Sequence, residues 1–501
     1  MRTDESGAPP GAPAGGLSRR QLLVRAGAGA LAASIPGWRA LGAGSRGDPR
    51  LRALAAVTKG RLLTPASPGY GSARLPVNAR YDGIRPLAIL QAANAQDVRQ
   101  AMLWARRNNV AIAARSGGHS YAGYSSTRGL LVELGTLDQV LLRSNGTALV
   151  GAGTRLIDMY QALANRGRVV PGGSCPTVGV GGLALGGGVG FSGRAFGTTS
   201  DNIVGIEIVT TDGRIRNCDA RNDADLLWAC QGGGGGNFGI VTRFRFQTHP
   251  VGGGSYFFAS FPWDSAEDVV ARWQRWAPEG PDELFSILSL SSGETLNVLG
   301  QYLGPRSSLQ RLLRDLTRVA SPATLQVGSD DFLDLQLRWA ACVGKTVSQC
   351  AVVPHLRWAA KSQYVDTPLP ARGIATLVSQ LERPNAGSIL MDSYGGAINR
   401  VKPSATAFVH RDNLFSYQFY VGWSAPSQAA SSLAWLRGAA RAVRPWSSGF
   451  AYQNYIDPDL ADWPHAYYGS NLPRLVQVKR KYDPDGILHF AQGIRPGLPG
   501  S

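Results

Sequence analysis

From residue 86 onward, apolar and polar positions alternate in short blocks whose period switches between strand and helix. Residues 86–92, 110–114, 130–134 and 148–151 are apolar runs of strand length. After the first run, Asn94 can cap a helix with Asp97 three residues on; Val98, Met102 and Ala105 fall on one face, and Arg99, Arg106 and Arg107 on another. Residues 154–166 also read as a helix. Residues 202–211 and 214–218 flank an Asp212-Gly213 hairpin turn, and 240–246 alternates as a half-buried strand does. Residues 44–85, with Pro65, Pro68 and Pro76, read as an irregular lead-in.

From about 257 to 446 the blocks lengthen. Alternating strands at 285–290, 296–302, 389–394 and 414–423 are interleaved with helical stretches at 266–277, 307–319 and 428–443. That pattern predicts an antiparallel sheet covered by helices on one face, in an α+β arrangement. Residues 450–457, FAYQNYID, read as a further strand. Asn471 can then cap a helix that stops at Asp483-Pro484-Asp485-Gly486. A chain of 501 residues is too long for one core, and these changes divide it at 1–43, 75–251, 252–447 and 448–495.

Net charge is +17, carried almost wholly by arginine, with six lysines among 51 basic residues. The basic residues are scattered, without the dense stripe and interleaved aromatics of a nucleic-acid surface. They read as a solvated basic surface, which also allows attraction to anionic substrates or surfaces. Ser18-Arg19-Arg20-Gln21-Leu22-Leu23, followed by an Ala-, Gly- and Leu-rich run to Ile35, resembles a twin-arginine export signal. The run is interrupted by Arg25 and is too short to span a bilayer, so the expectation is a secreted or periplasmic protein without a stable membrane anchor. Five cysteines fit an oxidising compartment. With Cys175 set aside, Cys218, Cys230, Cys342 and Cys350 allow three pairings, of which Cys218–Cys230 with Cys342–Cys350 is the local choice.

Two glycine loops stand out: AARSGGHSYAGY at 113–124 and PGGSCPTVGVGGLALGGGVGFSG at 171–193. Successive glycines let backbone N–H groups approach an anion closely, which suits a dinucleotide pyrophosphate. Gly179-x-Gly181-x-x-Ala184, with Glu207 beyond it, matches a Rossmann fingerprint, but Pro171 and Pro176 stand where its strand should run and Gly186–Gly188 break the helix that should follow. One loop carries His119 and the other Cys175. Alone, each is an ordinary structural residue. Paired, they are two nucleophiles that a flavin's electrophilic 8-methyl carbon and ring carbon 6 can capture. No G-x-S-x-G elbow occurs, and the six histidines show no metal-ligand spacing, so no metal is expected.

R-S-G-G-H-S-Y at 115–121, G-G-S-C-P-T-V-G-V-G-G at 172–182 and Y-x-N-Y-x-D…Y-Y-G-x-N-x-x-R-L…K…Y-D-P at 452–484 together resemble the berberine-bridge-enzyme-like oxidases of the vanillyl-alcohol-oxidase flavoprotein superfamily. The resemblance covers residues 75–495. It implies a PCMH-type FAD-binding domain of two α+β subdomains, plus a substrate domain built on an antiparallel sheet. It implies FAD held bicovalently, by His119 at the 8-methyl and Cys175 at carbon 6. The pyrophosphate would sit on the amides of Ser116, Gly117, Gly118, His119 and Ser120, beside Arg115. Val178, Gly179, Gly182, Gly188, Asn237, Gly239, Val241 and Asn454 would complete the cofactor site.

The implied reaction is oxidation of a C–H bond, with hydride passing to flavin nitrogen 5 and a base taking the adjacent hydroxyl proton. By resemblance the base is Tyr455. A tyrosine near pKa 10 needs help at neutral pH, and Asp392 occupies the position of an assisting aspartate in sugar-oxidising relatives. Gln418 matches a substrate-contacting glutamine. Ser416 and Tyr420 share its face by period-two geometry, and Tyr121 borders the site. Val178, three residues after Cys175, implies access for O2 and hence an oxidase releasing hydrogen peroxide. The expected substrate is a small molecule, first a sugar or oligosaccharide oxidised to a lactone. The alternatives are a secondary metabolite such as a glycosylated antibiotic or alkaloid, or a flavin-bearing binding protein without turnover. Export would engage the twin-arginine machinery.

Overall fold

The computed structural model describes residues 48–291, 295–352 and 355–499; the export-signal motif lies outside them. The alternating blocks form three main sheets. In the first, Ala88–Gln91, Leu130–Glu133 and Ile112–Arg115 run parallel in that spatial order, with Arg61–Leu63 antiparallel at the edge. Its inner strands Ala88–Gln91 and Leu130–Glu133 are buried on both faces, as parallel strands under helices are, and Ala95–Asn108 packs there through Val98, Ala101 and Met102. Asn94 caps this helix, its side chain accepting from Asp97 N at 3.0 Å. The second sheet is antiparallel, in the order Val140–Leu142, Thr147–Gly151, Ile240–Gln247, Ile203–Val209, Ile215–Cys218. These two sheets and their helices share one core, which is the PCMH-type arrangement of two α+β subdomains.

The third sheet has seven antiparallel strands, in the order Thr324–Asp331, Gly253–Pro262, Thr295–Tyr302, Leu284–Ser291, Ser388–Ser393, Phe415–Trp423, Arg357–Val365. Period-two alternation splits its side chains. Phe257, Phe261, Leu288, Ile389, Met391, Phe415, Tyr417 and Phe419 enter a core with the helices Ala266–Glu279, Arg306–Thr317, Ala371–Ser379 and Ala429–Val443. Phe285, Ile287, Leu390, Asp392, Gln418 and Tyr420 point the other way, toward the FAD-type half. The halves are joined by buried charges. The Arg194 guanidinium donates to the carbonyls of Ala277, Pro278, Gly280 and Leu284 at 2.5–2.8 Å, and burial pushes its pKa down to about 10. Arg411 pairs with Asp201 at 2.6 Å.

Several expectations are corrected. The lead-in is not irregular: Asp48 caps a helix over Pro49–Val57, with proline in its first turn, and Arg61–Leu63 joins the first sheet. Three strands of the large sheet, Gly253–Pro262, Thr324–Asp331 and Arg357–Val365, were not expected from the pattern. Residues 450–457 are not a strand. They find no ladder partner, a 3-10 turn covers Gln453–Tyr455, and their side chains dock onto the glycine loops instead. Asn471 does not cap the helix Leu472–Tyr482 with its side chain, which donates instead to the carbonyls of Pro403 and Thr406. Cys342 and Cys350 form a disulfide, but Cys218 and Cys230 are both free and buried. Burial pushes the Cys218 thiol up to about 12 and that of Cys230 well above its ordinary value.

Candidate active site

The two glycine loops meet backbone to backbone. A Cβ at Gly117 would lie 2.2 Å from Gly179 N, and one at Gly179 would lie 2.0 Å from Ser116 Oγ, so only glycine allows this approach. Ser116 donates to the Ala152 carbonyl at 2.5 Å, and Val77 N to the Gly118 carbonyl at 3.1 Å. Arg115 lies behind the loop rather than in it. It is buried and donates to the carbonyls of Ala73, Arg74, Leu75 and Ser125, with Glu133 at 3.7 Å. Burial raises the Glu133 carboxyl to about 7, against the lowering pull of Arg115.

Between the loops and the large sheet lies a cavity of about 470 Å³. Its loop side carries Ser116, Gly117, Gly118, His119, Ser120, Cys175, Val178, Gly179 and Gly182. Asn237, Gly239 and Val241 extend it, held by Lys479, whose buried ammonium donates to the carbonyls of Asn237 and Leu488 at 2.6 and 2.7 Å. At Gly182 a Cβ would meet nothing within 4 Å, so the backbone there fronts open space. His119 is half-buried, and its Nε2 lies 2.9 Å from Thr177 Oγ1. Surrounding protein lowers its pKa to about 4, so the ring is neutral at pH 7.

The sheet side carries Asp392, Gln418 and Tyr420, with Tyr121 and Tyr455 beside them. Tyr121 and Tyr455 are stacked, centroids 5.0 Å apart and planes 12° from parallel. Gln418 Nε2 donates to the Tyr121 hydroxyl at 2.6 Å. Trp358 meets Tyr121 edge-on at 4.3 Å and stacks with Tyr420 at 5.7 Å. Register places Asp392 opposite Ser416, and Gln418 opposite Leu390. Ser416 is buried and is not part of the cavity wall.

Two residues that the sequence reading passed over organise this site. Tyr452 is buried at the cavity wall, and its oxygen accepts from Gly188 N at 2.7 Å and from Asn454 Nδ2 at 2.9 Å. Burial raises it to about 12, opposed by those donors, and the charge of Asp392 raises it further. Gly188 itself stands outside the cavity wall and serves this seam. Trp358 lies on a strand absent from the sequence expectation, and is clipped by the buried Asn78 through Nδ2 to its carbonyl at 3.0 Å. The quoted C-terminal motif contained Tyr452, but nothing local marked Trp358.

FAD fits this setting. A glycine backbone cradle fronts open space, an imidazole and a thiol border the same cavity, and much of the remaining wall is aliphatic or aromatic.

Comparison with known proteins agrees. A family model described as an FAD binding domain matches residues 86–219, and one described as berberine and berberine like matches residues 451–495. The uncharacterized FAD-linked oxidoreductase YgaK of Bacillus subtilis is 33% identical, across 87% of this chain and 97% of its own. A chitooligosaccharide oxidase of Gibberella zeae is 31% identical, across 82% of this chain and 87% of its own. Among solved structures, wild-type BBE-like 1 of Physcomitrella patens superposes with a TM-score of 0.83 at 33% identity, covering 89% of this chain and 99% of that one. Phl p 4, a grass pollen allergen with glucose dehydrogenase activity, gives 0.83 at 28% identity over the same shares. The chain therefore belongs to the berberine-bridge-enzyme-like family of FAD-linked oxidoreductases, and it is an FAD-dependent oxidase.

Proposed function

We propose that this oxidase converts a hydroxyl-bearing carbon of a neutral sugar or oligosaccharide, at the anomeric position, to a lactone. FAD is attached through both His119 and Cys175, and O2 is the acceptor, leaving as hydrogen peroxide. The observation that carries the reading is the opposition of two walls in one cavity. His119, Cys175 and glycine backbone form one, and Tyr455, Tyr121, Gln418 and Asp392 form the other. The chitooligosaccharide oxidase relative and the neighbour with glucose dehydrogenase activity support the substrate class.

When bound, the flavin supplies the two-electron acceptor. The side chains supply position and proton transfer. Tyr455 takes the substrate hydroxyl proton at its phenolic oxygen. Its ring is held by the stack on Tyr121, which Gln418 holds in turn, so the acceptor oxygen is fixed before substrate arrives. Asp392 is the one carboxylate among the described residues lining the cavity. Its charge opposes ionisation of neighbouring Tyr452 and Tyr394, so it assists a phenol only by accepting the proton. No arginine or lysine occurs among those lining residues, so an anionic sugar would bury its charge without a partner. Among the described residues, the basic side chains therefore lie outside the substrate cavity.

We also infer export in the folded state through the Arg19-Arg20 signal, a reading supported by the Cys342–Cys350 disulfide. Among the described residues, no helix is long and apolar enough to cross a membrane.

The test is acid precipitation followed by proteolysis and peptide mass. The expected result is flavin in the pellet, linking the His119 and Cys175 peptides, and peroxide released with neutral mono- or oligosaccharides. Flavin left in the supernatant overturns the covalent reading. A sugar panel that gives neither peroxide nor flavin bleaching overturns the substrate class.

A further inference from the structure

Thr177 lies two residues beyond Cys175, in the second glycine loop, yet its side chain reaches into the first. Its Oγ1 is 2.9 Å from His119 Nε2. With that hydroxyl as the acceptor, the ring nitrogen turned toward Thr177 carries the hydrogen. A neutral imidazole with Nε2 protonated has its lone pair on Nδ1. Thr177 is itself nearly buried, at 9% exposure, so this contact is shielded from competing water.

We propose that Thr177 is the positioning residue for flavin attachment at His119, holding the Nε2–H tautomer so that Nδ1 is the nucleophile toward the 8-methyl carbon. The proposal rests on the reading above that His119 is an attachment residue. In the step, Nδ1 forms the N–C bond and one methyl C–H bond breaks with loss of its proton. Two electrons pass into the ring system, and the imidazole, cationic once substituted, releases its Nε2 proton. Dioxygen then takes the two electrons and two protons as hydrogen peroxide, which restores the oxidised cofactor. Thr177 acts where charge develops, because a hydrogen bond from an imidazolium is stronger than one from a neutral ring. One loop thus carries both the second attachment residue and the group that aims the first.

The test is a time course of attachment, not of turnover. Full-length Cys175→Ala protein, produced under riboflavin starvation, is mixed with FAD in air, and flavin on the His119 peptide is measured by mass after acid quench. Thr177→Val in that background removes the hydroxyl at nearly constant volume. Attachment is expected to slow about tenfold, the effect of losing one hydrogen bond to a charging group. Thr177→Ser restores the rate to within about twofold, because only the hydroxyl is needed. An unchanged rate in Thr177→Val overturns the proposal, as does a Thr177→Ser rate as slow as that of valine. Absence of His119-linked flavin in the Cys175→Ala parent, with Thr177 intact, overturns the attachment reading itself and is read before either Thr177 variant.

Discussion

Replacing Tyr452 with phenylalanine removes one oxygen from the seam between the C-terminal segment and the second glycine loop. The ring stays, so no cavity opens and the cost lies in hydrogen bonds alone. That oxygen accepts from Gly188 N at 2.7 Å and from Asn454 Nδ2 at 2.9 Å, in a site where Tyr452 is 4% exposed. Asn454 keeps a second acceptor, the Leu183 carbonyl at 3.0 Å, so its loss is about 0.5–1 kcal/mol. The Gly188 N–H loses this acceptor at a buried position, which costs about 1–3 kcal/mol. Together the substitution should destabilise the holoprotein by roughly 1.5–4 kcal/mol. Urea unfolding followed by tryptophan and flavin fluorescence measures it as a lower midpoint at unchanged slope. A loss below about 0.5 kcal/mol would refute the reasoning, since it would mean that Gly188 is satisfied without the phenol.

Tyr455→Phe should slow anaerobic flavin reduction by about a hundredfold or more, the usual contribution of a positioned base. Slowing of less than about tenfold moves the base to another group. His410 is fully enclosed, with Nε2 2.9 Å from Gln453 Oε1, and burial lowers its pKa to about 3. A depressed folded pKa contributes stability above the ordinary histidine range that is lost as pH falls from about 6.5 toward 3, at roughly 1.4 kcal/mol per unit. Urea midpoints in that window should fall steeply for the wild type and less for His410→Gln. A uronic acid or sugar phosphate should give kcat/KM at least about tenfold below its neutral counterpart, because its charge is buried beside Asp392. Cys218 and Cys230 should resist thiol reagents at pH 8 until the protein is unfolded, because burial raises both thiols far above that pH.

Local chemistry was legible in the sequence wherever a motif is contiguous. His119 and Cys175 each sit in a glycine loop whose backbone must approach another chain segment, and both do border the cavity. Helices such as Ala95–Asn108 followed from a cap and a 3.6-residue period, which are local properties. Residues 450–457 misled because their alternating aromatics serve side-chain docking, and alternation alone cannot tell docking from a ladder without the partner strand. Arg115 looked like a cofactor contact because it adjoins the loop; only the fold shows its guanidinium spent on carbonyls behind it.

What the tertiary structure alone decided is which distant residues share one cavity. Tyr121 and Gln418 are 297 residues apart and meet at 2.6 Å; Thr177 reaches His119 across 58 residues. Such contacts depend on the packing of a seven-stranded sheet against a glycine cradle, and no local period encodes them. By itself the sequence determined the kinds of chemistry available: nucleophiles on glycine loops, phenols in an aromatic segment, and one carboxylate on an alternating strand. Their mutual distances, and so which phenol faces substrate and which is a structural acceptor, follow from long-range packing, because a side chain's role is set by the neighbours that desolvate and hydrogen-bond it.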